Sequence, residues 1–264
     1  MHAILKNKIA LVYGAGPIGT AVSLAFANEG ATIFIADLNE EAGNVLVKKI
    51  TEAGGHAEAY KVDALNKDSV ETFVAQVAKK TGRIDITFNA INVTKGGQQG
   101  TFLRDLDYED FALPITVYVK TQFLTANAAS RYMVTQGSGV IMMITAIPSR
   151  MPVPGSVGFG VAWAGMEALS RTLAVELGQY GVRTVCLNST GSPETADSIG
   201  KTFNQDPKVL KRFSEGWAER SKWHMLVPNA VSLDQVGAMA AFMASDKAGA
   251  TTGTIANMSA GMVL

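Results

Sequence analysis

Seven short apolar runs, rich in β-branched residues, recur along this chain: "KIALVY", "ATIFIA", "HAEAYKV", "RIDITFNA", "GVIMMIT", "VRTVCLN" and "TGTIANM". Longer segments of helical period separate them, and two of these, "PIGTAVSLAFANEG" and "EEAGNVLVKKITEAGG", end in glycine as helix C-termini tend to. A strand that is apolar throughout must be buried on both faces, which requires a parallel sheet covered by helices on each side. The pattern therefore predicts an α/β chain with a doubly wound (Rossmann-type) parallel sheet of about seven strands. No repeat, low-complexity tract or Pro/Gly/Ser linker divides it, so residues 1–264 read as one domain.

Composition agrees with a core-rich globular protein, 47% apolar and 17% charged. Lysine plus arginine equals aspartate plus glutamate at 23 each, so no net field draws the chain to nucleic acid or an anionic membrane. No stretch approaches the roughly 18 apolar residues of a membrane helix, and no signal-peptide cleavage pattern is visible. The single cysteine, Cys186, excludes an internal disulfide and a multi-thiolate metal site, and it reads as a small buried strand residue. These features point to a cytoplasmic protein without a metal.

"ALVYGAGPIGTAVSLAFANEG" sets Gly14, Gly16 and Gly19 directly after the first strand and at the start of the first helix. Glycines with this spacing let backbone N–H groups approach a pyrophosphate at the positive end of a helix, with Ile18 beside them. Asp37 ends "ATIFIAD" about 20 residues on, where a carboxylate accepts hydrogen bonds from the adenosine ribose hydroxyls and repels a 2′-phosphate. No arginine follows in "ADLNEE", so NAD is favoured over NADP. Asp63 in "KVDAL", with Asn89 and Ala90 in "FNAIN", closes the third and fourth strands, beside the adenine and the adjoining backbone. Asn89 reads equally well as a turn-former bonded to its own backbone.

In order along the chain, the glycine loop, "VDA", "FNA", "GSGVIMMIT", "EALSRTLAVELGQYGVR" and "AFMASDKAGATTGTIANMSAG" resemble short-chain dehydrogenase/reductase signatures, and the resemblance covers nearly all of the chain. It implies hydride transfer between a nicotinamide and a carbonyl or alcohol. The family's machinery is a tyrosine acid/base, a lysine four residues later, a serine about thirteen residues before the tyrosine, and an asparagine in the preceding long helix. The lysine ammonium lowers the tyrosine pKa from about 10 towards working pH. Aligning "MEALSRTLAVELGQYGVR" without gaps places Phe159 at the tyrosine and Trp163 at the lysine. Ala146 then falls at the serine, and aligning "FLTANAASRYM" puts Tyr118 at the asparagine. The glycine loop is also one residue shorter than the family's, with Tyr13 for its threonine. All four positions of the tetrad differ, so the resemblance implies a non-standard site.

Replacement chemistry has three candidates: the phenol of Tyr118, the hydroxyl of Thr145, and His224, which titrates near neutrality unaided. Lys120 lies two positions from Tyr118 and points away from it. Ser149 and Arg150, in the proline-rich "AIPSRMPVPGS", read as possible grips on a polar substrate or as surface residues, and Met142, Met143, Met151 and Met225 as an adaptable apolar lining or core filler. Residues 189–228 form a long excursion after the sixth strand, where such folds build a substrate lid.

Three functions follow from these readings. The first is an NAD-binding oxidoreductase with a non-standard site, acting on a small, mostly apolar carbonyl, alcohol or enone. The second is a catalytically inactive subunit or cofactor sensor, paired with an active homologue. The third is a non-redox cyclase or isomerase reusing the pocket. The resemblance also implies a homo-oligomer, dimer or tetramer, formed through helices near residues 108–136 and 157–180.

Overall fold

The structure, a computed structural model, describes residues 3–195, 200–227 and 231–263. Seven strands form one sheet in the order β3-β2-β1-β4-β5-β6-β7, every neighbouring pair parallel. They are β1 (Ile9–Tyr13), β2 (Thr32–Asp37), β3 (His56–Lys61), β4 (Ile86–Asn89), β5 (Gly139–Ala146), β6 (Val182–Ser189) and β7 (Thr254–Met258). The order reverses between β1 and β4, which opens a crevice at the carboxyl ends of those strands.

Eight helices accompany the strands among the described residues. Helices α1 (Pro17–Asn28) and α2 (Glu40–Glu52) follow β1 and β2, α3 (Lys67–Thr81) follows β3, and α4 (Tyr108–Pro114) and α5 (Thr121–Gln136) follow β4. Helices α6 (Val157–Gly178), α7 (Pro207–His224) and α8 (Leu233–Ala244) complete the set. Strand alternation serves two cores. Val12, Ile33, Phe88 and Met142 meet Phe26 of α1, Leu46 of α2 and Ala240 of α8 on one face. Leu11, Phe34 and Ile141 meet Phe73 of α3 and Ala129 of α5 on the other, with Leu177 of α6 packed against that group. Both sets are apolar, which is why the inner strands read as apolar runs, while the edge strand β3 is part-buried and carries Glu58, paired with Lys80.

Helices α4 and α5 are one rod interrupted by a wider π turn, Ile115–Lys120, immediately after Pro114. Proline supplies no N–H and its ring crowds the preceding turn, and the chain answers by loosening the ladder over the next six residues. Tyr118 sits on that loosened turn. No helix of the described residues is long and apolar enough to cross a membrane.

Tyr13 is fully buried at the end of β1, edge-on to Phe73 at 5.6 Å, and its hydroxyl has no hydrogen-bond partner. Burial pushes this phenol well above its usual range. The native state therefore keeps a proton that the unfolded chain releases near pH 10, so this contribution is present below about pH 10 and is lost above it. Tyr13→Phe removes an unsatisfied buried hydroxyl and is expected to raise stability by about 1 kcal/mol and to flatten the alkaline loss. Thermal unfolding at pH 7 and pH 11 measures both effects, and a destabilised variant would show that the hydroxyl is partnered.

Candidate functional site

The turn from β1 into α1 is built around two close approaches. Gly14 has φ +97°, and a Cβ on Gly19 would lie 1.8 Å from the Gly14 carbonyl oxygen, so an L side chain is strained at the first and has no room at the second. Gly16 differs: it caps α1 in an extended conformation, and a Cβ there would meet nothing within 4 Å. The open space at Gly16 lies before the unsatisfied N–H groups of the first helical turn, which is the cradle an anionic phosphate needs. Asp37 closes the turn from the side. Its Oδ2 accepts the Ala15 N–H at 2.7 Å and its Oδ1 the Asn39 N–H at 2.8 Å, which holds the carboxylate beside the glycines.

The other nucleotide-end residues have divided roles. Asn89 is buried at the end of β4, where its Oδ1 accepts the Ile91 N–H at 2.9 Å and its Nδ2 donates to Thr121 and Thr125, both at 3.3 Å. It braces the loop that carries Ala90 over Gly14. Asp63 is exposed and accepts the Leu65 N–H at 2.9 Å, while its own N–H donates to Ser69 at 3.0 Å. Ile18 and Ala90 line the cavity that opens beyond the glycine turn.

That cavity has a volume of about 700 Å³, within the ordinary range of small-molecule sites. It runs over the carboxyl ends of β4, β5 and β6, and Tyr118, Ala146, Phe159 and Trp163 all line it. The three aromatic rings pack on one another, with centroids 6.2 Å apart for Tyr118 and Phe159, 5.6 Å for Tyr118 and Trp163, and 5.4 Å for Phe159 and Trp163. Tyr118 donates its hydroxyl hydrogen to Asn92 Oδ1. Burial holds this phenol above its ordinary range, the direction that opposes proton release at neutral pH. A Cβ on Gly158 would stand 2.5 Å from the Phe111 carbonyl oxygen, so only glycine lets α6 reach α4 here and bring Phe159 against Tyr118.

Behind the apolar wall lies a polar knot. Glu167, buried on α6 four residues after Trp163, accepts hydrogen bonds on Oε1 from Ser149 at 2.6 Å, Asn188 at 3.0 Å and Thr145 at 3.2 Å, and on Oε2 from the Arg150 Nε at 3.0 Å. Arg150 and Ser149 thus tie the loop after β5 to α6. Thr145 both lines the cavity and touches this carboxylate, and its hydroxyl also lies 3.5 Å from the buried Cys186 Sγ. Burial is the main cause that pushes the Cys186 thiol up to about 12, which keeps it protonated and unreactive. Met142 and Met143 are core, Met151 and Met225 pack at Ile147 under the C-terminal residues, and of the four only Met225 lines the cavity.

The roof comes from the segment after β6. The Gln99 N–H donates to the Thr202 carbonyl at 2.9 Å, its Nε2 donates to Ser156 at 3.3 Å, and the Arg212 guanidinium lies 3.7 Å from the centroid of the Phe102 ring. Lys120 is exposed. The side chain of His224 lies outside the described residues, as do residues 196–199 and 228 of the excursion. Glu167, Asn188, Asn92 and Gln99 were not legible as site residues. The signal for Glu167 was its place four residues after Trp163 and eight after Phe159, which puts a carboxylate on an otherwise apolar face. No group of three or more potential metal ligands occurs among the described residues.

The comparisons with known proteins agree with this fold. A family profile described as enoyl-(acyl carrier protein) reductase matches residues 14–263. The oxidoreductase UcpA of Salmonella typhimurium is 30% identical over 256 residues, covering 95% of this chain and 92% of its own. The 3-oxoacyl-(acyl-carrier-protein) reductase FabG of Thermotoga maritima is 25% identical over 261 residues, covering 98% and 99%. Among solved structures, NAD+-bound xylitol dehydrogenase superposes with a TM-score of 0.81 at 26% identity, covering 97% of this chain and 98% of that one. The chain belongs to the short-chain dehydrogenase/reductase family.

Two pairs of variants test the geometry. Gly19→Ala is expected to lower the melting temperature sharply and Gly16→Ala to leave it unchanged, because only the first added Cβ meets backbone. Glu167→Ala strands four donors and is expected to cost about 2–4 kcal/mol in urea denaturation, and Glu167→Gln less, since its amide oxygen still accepts. A Glu167→Ala variant as stable as the parent would show that the knot holds nothing together.

Proposed function

We propose that this protein is a nicotinamide-dependent oxidoreductase with a non-standard site, acting on a small, mostly apolar carbonyl, alcohol or enone, and that it prefers NAD to NADP. One observation carries the reading: a single cavity extends without a break from Gly16, Pro17 and Ile18 to Phe159 and Trp163. A cofactor seated on the glycine turn then has room to reach the aromatic rings. A bound nicotinamide supplies or accepts the hydride.

The chain's own groups do the rest. Gly14, Gly16 and Gly19 receive the pyrophosphate, and the remaining lone pairs of Asp37 face the ribose hydroxyls and disfavour a 2′-phosphate. Asp63, Asn89 and Ala90 frame the adenosine side. Phe159 and Trp163 exclude water and confine the reacting atoms, so rate comes chiefly from proximity and orientation. Phe159 carries no acidic proton, and a positioned acid or base is usually worth about 10²–10⁴ in rate. Where the substrate needs a proton, Thr145 and Tyr118 are the cavity-lining hydroxyls at hand, and each already donates, Thr145 to Glu167 at 3.2 Å and Tyr118 to Asn92, so a substrate oxygen must displace one of those bonds. The exposed Phe123, Val161 and Val175 on α5 and α6 support a homo-oligomer built on those helices. The buried, lone Cys186 suits the cytoplasm.

A second reading, an inactive subunit beside an active homologue, is favoured by one fact: Phe159, a ring with no proton to give, occupies the position aligned with the tyrosine acid, packed between Tyr118 and Trp163. Purification of the native assembly separates the two, because a homo-oligomer alone counts against a paired subunit. For the first reading, NADH is expected to bind the protein, and absorbance at 340 nm is expected to fall slowly with one or more members of an aldehyde, ketone and enone panel. Gly16→Ala, whose added Cβ meets nothing within 4 Å, is expected to fold and to lose NADH. No binding and no turnover would sink the oxidoreductase reading.

A further inference from the structure

Among the described residues that line the cavity, Lys201 is the only Lys, Arg, Asp or Glu. Lys201 precedes Thr202, whose carbonyl accepts the Gln99 N–H at 2.9 Å, and Gln99 in turn donates to Ser156 at the start of α6. These contacts hold the backbone next to Lys201 near the start of α6. Next to it, Phe203 and Phe213 meet edge to face at 4.5 Å, and both rings line the same space.

A cation in the wall of an aromatic chamber, with no carboxylate among its described lining residues, concentrates anions there, and the low-dielectric walls strengthen the attraction. The neutral polar groups in the lining hydrogen-bond a ligand without choosing its charge. We propose that the site takes an amphiphilic substrate with one carboxylate at the end remote from the reacting carbon. Lys201 pairs with that carboxylate, while Phe203, Phe213, Phe159 and Trp163 hold the apolar body. This narrows the substrate class of the oxidoreductase reading and rests on it for the reacting end alone.

Calorimetric titration of the full chain with 4-phenylbutanoate, its neutral amide and NADH tests the assignment. The carboxylate is expected to bind at least about tenfold tighter than the amide, as a charge-assisted pair in a partly enclosed site allows, and added salt is expected to weaken it. Lys201→Met is expected to erase the preference without changing NADH affinity, and Lys201→Arg to keep it. Lys201 is exposed, so neither variant threatens folding. Equal binding of acid and amide, or a preference that survives Lys201→Met, overturns the proposal. So does a loss of NADH affinity in Lys201→Met, which assigns the lysine to a cofactor phosphate. If NADH binds and neither ligand does, the inference fails while the oxidoreductase reading stands. If NADH does not bind and the Lys201-dependent preference persists, that reading fails and the inference stands.

Discussion

Helix α6 lies against α4 at a separation only glycine permits, and the character of the whole site follows from that contact. A Cβ on Gly158 would fall 2.5 Å from the Phe111 carbonyl oxygen and 2.9 Å from Pro114 Cγ. Gly97 plays the same part on the other side, since its Cβ would lie 2.9 Å from the Phe159 ring. With both glycines in place, Phe159 is enclosed between the rod of α4 and the loop after β4, and Trp163 closes over it one turn later. The loosened turn after Pro114 then delivers Tyr118 to the same point, and the three rings form one wall of the cavity. Larger residues at 97 or 158 would push the helices apart and open that wall to water.

The polar knot around Glu167 is the counterweight. A carboxylate buried on an apolar helix face is costly unless its lone pairs are filled, and four donors fill them. Those donors come from three places in the chain: the end of β5, the loop after it, and the end of β6. The knot therefore fixes the floor of the cavity against α6, on which the aromatic wall stands. Apolar exclusion of water on the front and a satisfied charge behind are physically compatible because Arg150 reaches Glu167 from the solvent side, with a third of its side-chain surface still exposed.

How much of this was readable follows from what each residue had to do. The seven strands and their parallel pairing showed in the sequence because burial of the inner strands on both faces selects apolar runs. The glycine turn showed because steric exclusion at Gly14 and Gly19 has one residue as its solution. Aligned frames brought Tyr118, Ala146, Phe159 and Trp163 to attention as a set, and they line one cavity. Glu167 and Asn188 escaped notice because a glutamate in a helix and an asparagine near a strand end are usually solvated, and only three-dimensional closure reveals their donors. Arg150 and Ser149 were legible as polar loop residues, but their direction, inward to Glu167, depends on a partner 17 or 18 residues away. The roof was visible as a long excursion, and its pairing with Gln99 across 103 residues was not.

The central claim is that the glycine turn and the aromatic wall belong to one ligand path. A crystal structure of the protein soaked with NADH tests it most directly. The account predicts the pyrophosphate against the backbone at Gly16, the adenosine ribose on Asp37, and the nicotinamide ring in the cavity in contact with Phe159 or Trp163. An ordered adenosine half with the nicotinamide turned out into solvent, or a glycine turn without cofactor at saturating NADH, would contradict it.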